Sequence, residues 1–152
     1  MKLDAFSRDL IAKFPLGFVA TVTADGHPRV SPKGTFLVLD DETVAFGEIR
    51  SPGTIANLAH RPEVEINFID PFLRKGVRVR GTAEILDAGT EAHDALICRW
   101  HEVWGDLADR INCLVRISVD FTRVITTPPY DDGVGEEEMI ALYKTKFAEI
   151  YP

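Results

Sequence analysis

The chain has 152 residues, 45% hydrophobic and 27% charged, the length and balance of one globular domain around a single core. Its net charge of -7 and pI near 5.0 exclude a broad nucleic-acid or anionic-membrane surface, since both need clustered Lys and Arg. No apolar run approaches the roughly 18 residues of a membrane span.

The first segment carries Asp4, Arg8, Asp9 and Lys13 among its apolar residues, so it has no secretory hydrophobic stretch, and a cytoplasmic protein is expected. Leu3, Phe6, Leu10 and Phe14 recur at three- and four-residue steps, which predicts an amphipathic helix over residues 3–13. Pro15 to Gly17 stop it. Residues 17–23 (GFVATVT) are β-branched and aromatic and run into Ala24-Asp25-Gly26, a hairpin turn signal. A longer strand is predicted over 28–39. Pro32 cannot donate to a ladder and Gly34 packs nothing, so a bulge or break is expected near 31–34.

Residues 43–49 (TVAFGEI) form a third predicted strand, followed by a short helix to about His60 with Ser51 as N-cap and Pro52 in the first turn. Strands are predicted over 64–69 and 77–86, a helix over 90–104, and a long strand over 113–126. A loop at 128–133 and a helix over 136–150 complete the chain. The pattern predicts a mainly β (α+β) fold: a six-stranded antiparallel split β-barrel with peripheral helices and a C-terminal helix. It forms a single domain over 1–152, with residues 126–152 as a loop and helix able to act as a lid. Closure removes the exposed edges of so small a sheet.

Cys98 and Cys113 each fall in an apolar segment and are expected as buried free thiols. His27, His60, His93 and His101 are scattered, no Cys/His spacing suits a metal, and no metal site is expected. Trp100 and Trp104 are four apart on one helix face, where core or interface packing is the expected role. His101 has no neighbouring Ser or Cys with an orienting acid, so no nucleophilic triad is read.

The richest stretch is Gly47-Glu48-Ile49-Arg50-Ser51-Pro52-Gly53-Thr54, where a strand runs directly into a helix. Free N–H groups at a helix start, the Ser51 and Thr54 hydroxyls and the Arg50 guanidinium suit a phosphate. The same residues also suit a capped helix with a surface arginine. In Arg29-Val30-Ser31-Pro32-Lys33-Gly34-Thr35, an extended chain turns Arg29, Ser31 and Lys33 to one face and Val30 and Pro32 to the other. That face is either a solvated hairpin or a row of donors and acceptors able to read a flat heteroaromatic ring. Arg78 and Arg80 share a face and either pair with Glu63 and Glu65 on the preceding strand or bind an anion.

In order and spacing, residues 26–34 (GHPRVSPKG), 44–62 (VAFGEIRSPGTIANLAHRP), 64–68 and 77–86 (VRVRGTAEIL) resemble the pyridoxamine 5'-phosphate oxidase-like FMN-binding split-barrel family. The resemblance implies a homodimer with FMN at the subunit boundary and no nucleic-acid or membrane partner. It places the flavin ring against Ser31 to Thr35 and the phosphate at Arg50, Ser51 and Thr54, with Arg29 or Lys33 adding charge. Arg78 and Arg80 are further cofactor candidates, alongside Gly47, Glu48 and Ile49 at the junction. It further implies an FMN-dependent oxidoreductase acting on a small molecule, or alternatively a non-catalytic flavin or haem carrier or sensor. Tyr130 and Asp131 are candidates for substrate contact. Pyridoxamine phosphate oxidases carry Ser-Arg-Lys where this chain has Pro52-Gly53-Thr54, and a Gln where it has Gly76, so vitamin B6 oxidation itself is not expected.

Overall fold

A computed structural model describes residues 2–152. Helix α1 spans Ala5–Lys13, two residues shorter at its start than the periodicity predicts, because Asp4 caps it and accepts the Ser7 amide at 2.8 Å. Hydrogen bonding from the Ser7 side chain, and next from its amide, holds the Asp4 carboxyl below its usual range. Strands β1 (Gly17–Val22) and β2 (Pro28–Lys33) form the expected hairpin, with Gly26 at φ 91° in its turn.

Where one long second strand was predicted, the chain makes two. β2 ends at Lys33 and β3 (Phe36–Val38) begins after Gly34 and Thr35, so the sheet has seven strands rather than six. β4 (Thr43–Glu48), α2 (Pro52–His60), β5 (Glu63–Asp70), β6 (Lys75–Asp87), α3 (Glu91–Trp104), β7 (Cys113–Ile125) and α4 (Glu136–Ile150) follow within a few residues of the expected bounds. Short 3-10 turns at Gly105–Arg110 and Pro128–Tyr130 flank β7. Among the described residues no helix is long and apolar enough to cross a membrane.

All pairings are antiparallel, and the strand order is β2-β1-β5-β6-β7-β4-β3. The two edge strands are therefore consecutive in sequence, and the kink at Gly34-Thr35 carries the chain from one edge of the curled sheet to the other. Inside the curl, Val19, Phe36, Val44, Phe46, Ile66, Phe68, Val77, Val79, Val115 and Ile117 are buried together, with Leu10 and Ile11 of α1 closing one end. A second cluster under α3 gathers Ala45, Leu86, Trp100, Ala108 and Leu114.

Three hydrogen bonds fix the kink. The Thr35 hydroxyl donates to the Gly47 carbonyl at 2.9 Å and accepts the Gly47 amide at 3.0 Å, while the Trp100 indole N–H donates to the Thr35 carbonyl at 2.8 Å. Trp100 thus has a core role, as its helical spacing suggested. A β-bulge interrupts the β6–β7 ladder between Arg80 and Gly81. A Cβ on Gly81 would lie 2.2 Å from the Ser118 carbonyl oxygen, so the bulge closes only around glycine.

One cysteine expectation is corrected. Cys113 is buried at the start of β7, but Cys98 is exposed, because it lies on the side of α3 turned away from the second cluster. Burial, with the charges of Glu48 and Asp87 adding to it, pushes the Cys113 thiol up to about 11. An aromatic disulfide reagent at about pH 8 should therefore modify one thiol per native chain and two after denaturation. Two fast native thiols would show that the start of β7 opens. Trp100→Phe leaves the Thr35 carbonyl buried without its donor and should lower unfolding stability by about 1–3 kcal/mol in denaturant titrations; an unchanged midpoint would contradict the role given to this bond.

Candidate functional site

β4 ends at Glu48, and Pro52 opens α2 only four residues later, so the strand at 43–48 hands over to a helix as the sequence implied. Ser51 stands at the N-cap position, yet its side chain does not cap. Instead its amide donates to Glu48 Oε1, and its hydroxyl lies 3.4 Å from the same oxygen. The other Glu48 oxygen accepts the Asn112 amide group at 3.0 Å, and Asn112 also donates to the Ile49 carbonyl at 3.0 Å. Glu48 is 4% exposed and serves as the bracket of the junction. Asn112, which has no signal in the local sequence, arrives from a point 64 residues on.

Because Ser51 is turned toward Glu48, the first turn of α2 stays open. Among the described residues the amides of Gly53 and Thr54 have no acceptor, which leaves donors at the positive end of the helix. Arg29 on β2 and Arg50 line the groove in front of them, about 330 Å³ in volume, together with Val30, Ser31, Ser51, Pro52, Gly53 and Thr54. Neither guanidinium has an ion-pair or hydrogen-bond partner among the described residues. A Cβ on Gly53 would stand 2.9 Å from Arg29 Nη1, so the missing side chain is what lets Arg29 lie over the helix start.

A second groove, about 260 Å³, continues the first. It is lined by Ser31, Pro32, Lys33, Gly34, Thr35, Gly47, Ile49, Arg50 and Ser51, and shares Ser31, Arg50 and Ser51 with its neighbour. Together they make one trench along β2, a sheet-edge strand whose outward backbone groups lack a ladder partner. Lys33 is 6% exposed and donates to the Ser31 hydroxyl. Desolvation holds its amine below the usual lysine range, with the Glu48 charge opposing that shift.

The trench thus gathers Arg29, Val30, Ser31, Pro32, Lys33, Gly34, Thr35, Gly47, Ile49, Arg50, Ser51 and Thr54, with Glu48 bracing it from behind. It does not gather the remaining candidates. Arg80 turns away and pairs with Asp120 at 3.0 Å over the Phe121 ring, not with Glu63. Arg78 reaches Glu65 at 3.4 Å and lines a different groove.

Tyr130 and Asp131 line none of these grooves, and the segment expected as a lid fastens elsewhere within the chain. The Tyr130 hydroxyl donates to the Leu73 carbonyl, and Lys75 stands 4.3 Å over its ring while pairing with Glu136 at 2.7 Å. Arg74 stacks 4.4 Å over Tyr143, and Phe72 meets Phe147 edge-on at 5.1 Å. The cause is local: the β5–β6 hairpin presents two cations and an aromatic ring, and α4 offers Tyr143 and Phe147 four residues apart to meet them.

The solved structure of HupZ from Group A Streptococcus is 31% identical, with a TM-score of 0.64 covering 77% of this chain and 87% of that one. HutZ from Vibrio cholerae, described as a heme storage protein, is 22% identical with a TM-score of 0.67 over 83% of this chain and 95% of its own. An FMN-binding protein from Syntrophomonas wolfei is 17% identical with a TM-score of 0.64 over 79% and 84%. At those identities the last two establish shared fold only. No curated protein sequence matches the chain. The sequence model of one family, described as pyridoxamine 5'-phosphate oxidase, matches residues 3–127, which takes in all seven strands and the whole trench. The chain belongs to the pyridoxamine 5'-phosphate oxidase family.

Proposed function

We propose that the protein binds FMN in the β2–α2 trench and acts as a cytoplasmic, homodimeric FMN-dependent oxidoreductase on a small molecule. The observation that carries this reading is the cradle at the start of α2. Two unpaired guanidiniums, two free amides and the Thr54 side chain converge where Gly53 leaves space. That set matches a phosphate monoester, which asks for several charge-assisted donors in a small volume.

Arg29 and Arg50 hold the phosphate charge, while the edge of β2 from Ser31 to Thr35 offers backbone groups to the rim of a flat ring. FMN, when bound, supplies hydride and electron transfer. Glu48 keeps the Ser51 turn in place, so the cradle needs no rearrangement to receive its anion. Lys33, buried beside the trench with a weakened hold on its proton, adds positive charge at the end away from the phosphate.

The dimer is supported by the outer face of the sheet, where Phe18, Val30 and Phe121 are 39%, 65% and 38% exposed. An apolar patch of this kind favours burial against a second copy. A non-catalytic flavin or haem carrier on the same fold is the rival reading. Among the described residues no histidine lines the trench, which favours the flavin.

Purified protein should take up FMN in preference to riboflavin, which lacks the phosphate. Replacing Arg50 and Ser51 together by Ala should weaken FMN by about a hundredfold and erase that preference, read by flavin fluorescence titration. Equal affinity for FMN before and after the substitution would remove the phosphate assignment. Bleaching of the bound flavin absorbance by NADH or NADPH supports the enzyme, and a reductant-inert yellow protein supports the carrier. Sedimentation equilibrium should give two chains per particle; a monomer throughout the micromolar range would overturn the dimer.

A further inference from the structure

Two electrostatic misfits of opposite sign stand on the surface of this chain. On the outer face of β6 and β7, Arg78 and Arg123 are direct partners in the ladder. Side chains paired across antiparallel strands lie on the same side of the sheet, so the two guanidiniums repel. Glu65 relieves Arg78 only weakly, at 3.4 Å with both side chains nearly half exposed. Asp120 is engaged by Arg80. Arg123 has no ion-pair or hydrogen-bond partner among the described residues. The second misfit is Glu149, in the last turn of α4, where the helix dipole is negative and disfavours a carboxylate. No basic residue shares that turn, and Lys146, three residues earlier, stands 4.9 Å over the Tyr143 ring instead. Glu149 is exposed and has no ion-pair partner among the described residues.

Apolar surface accompanies both charges. Just past Glu149, Ile150 and Tyr151 are 61% and 85% exposed, and Met139 is the one buried residue of α4. A 15-residue helix is marginal in water by itself, and Tyr143 and Phe147 fasten this one along a single side. At the other charge, Phe18, Asn67, Arg78 and Arg123 form one row across four strands. The cation pair is therefore continuous with the Phe18, Val30 and Phe121 face that buries against a second copy. The free end of α4 lies at the rim of that face. Phe147 meets Phe72, Phe72 lies 6.4 Å from Phe14, and Leu16, two residues on, is exposed ahead of Phe18.

We propose that the last turn of α4 is a dimer arm: Glu149 of each copy pairs with Arg123 of the second copy, beside Arg78, while Ile150 and Tyr151 cover apolar surface there. The arm rests on the homodimer reading and needs nothing from the flavin. One carboxylate set between two guanidiniums accepts charge-assisted bonds from both, which removes their repulsion and gives Glu149 the cation its own helix lacks. A two-fold axis applies the contact twice. Shielding between the copies makes each pair stronger than the exposed Arg78–Glu65 contact.

Sedimentation equilibrium on the full chain reads the contact through the dimer dissociation constant. Arg123→Glu and Glu149→Arg should each weaken the dimer by at least about thirtyfold, and the chain carrying both should return to within about threefold of the unaltered protein. Lys144→Glu, an exposed site on the same helix whose change in net charge equals that of Arg123→Glu, should leave the dimer as it was. A double variant as weak as the single ones overturns the pairing. So does a Lys144→Glu chain weakened to the same degree, since net charge alone would then be acting. If the dimer is indifferent to every variant, the arm is wrong and the homodimer reading stands. If the unaltered chain is a monomer throughout the micromolar range, the homodimer reading falls and takes the arm with it.

Discussion

The hydrogen bonds around Thr35 hold together everything else in the molecule. A seven-stranded sheet this small leaves two raw edges unless the chain itself joins them, and here the joint is two residues long. Gly34 and Thr35 turn the chain from β2 to β3. Thr35 then ties that turn to Gly47 on β4 and to Trp100 on α3. Because Gly47 precedes the β4–α2 junction by one residue, the same bonds that fix the kink between the two sheet edges also set the distance between the β2 edge and the open helix end. Fold closure and trench width are one geometric constraint.

The electrostatics follow from where acids are spent. Glu48 is buried at the junction, but it faces the Ser51 turn and Asn112, and so draws away the Ser51 hydroxyl whose oxygen would otherwise accept from the first turn of α2. The helix start is left uncapped and cationic while the chain as a whole is strongly acidic. Local positive potential set in a negative background favours a single anion at a defined place over diffuse binding of polyanions. Arg29 reaches across from the neighbouring strand to the start of α2, where residue 53 is glycine.

Much of this was legible in the sequence. Periodicity of two and of three to four residues separated strands from helices, and Pro32 with Gly34 marked the break that became the kink. The strand-to-helix junction announced itself by residue type. Long-range partners had no local trace: Asn112 reaches Glu48 across 64 residues, and Trp100 reaches Thr35 across 65. Ser51 illustrates a different failure, since a residue with ideal capping chemistry gave its hydrogen bonds to a buried carboxylate instead. Alternation placed Arg78 and Arg80 on one face correctly. Glu65 of the preceding strand meets Arg78, as its place there suggested, whereas the acid that meets Arg80 comes from β7, whose register no pattern within β6 could reveal. Tyr130 and Asp131 looked available because a Pro-rich loop resembles a flap, but the hairpin cations had already engaged that segment.

The bulge at Arg80/Gly81 has one more effect. Through it, β7 carries a surplus residue, with Val119 facing Gly81 and Phe121 facing Arg80. Without that surplus, every later position of the strand would fall one place back, and Arg123 would oppose Val77, which is fully enclosed in hydrocarbon. A glycine deep in the ladder therefore sorts guanidinium from aliphatic along half a strand. The exterior chemistry of this protein is written in a counting offset of its backbone.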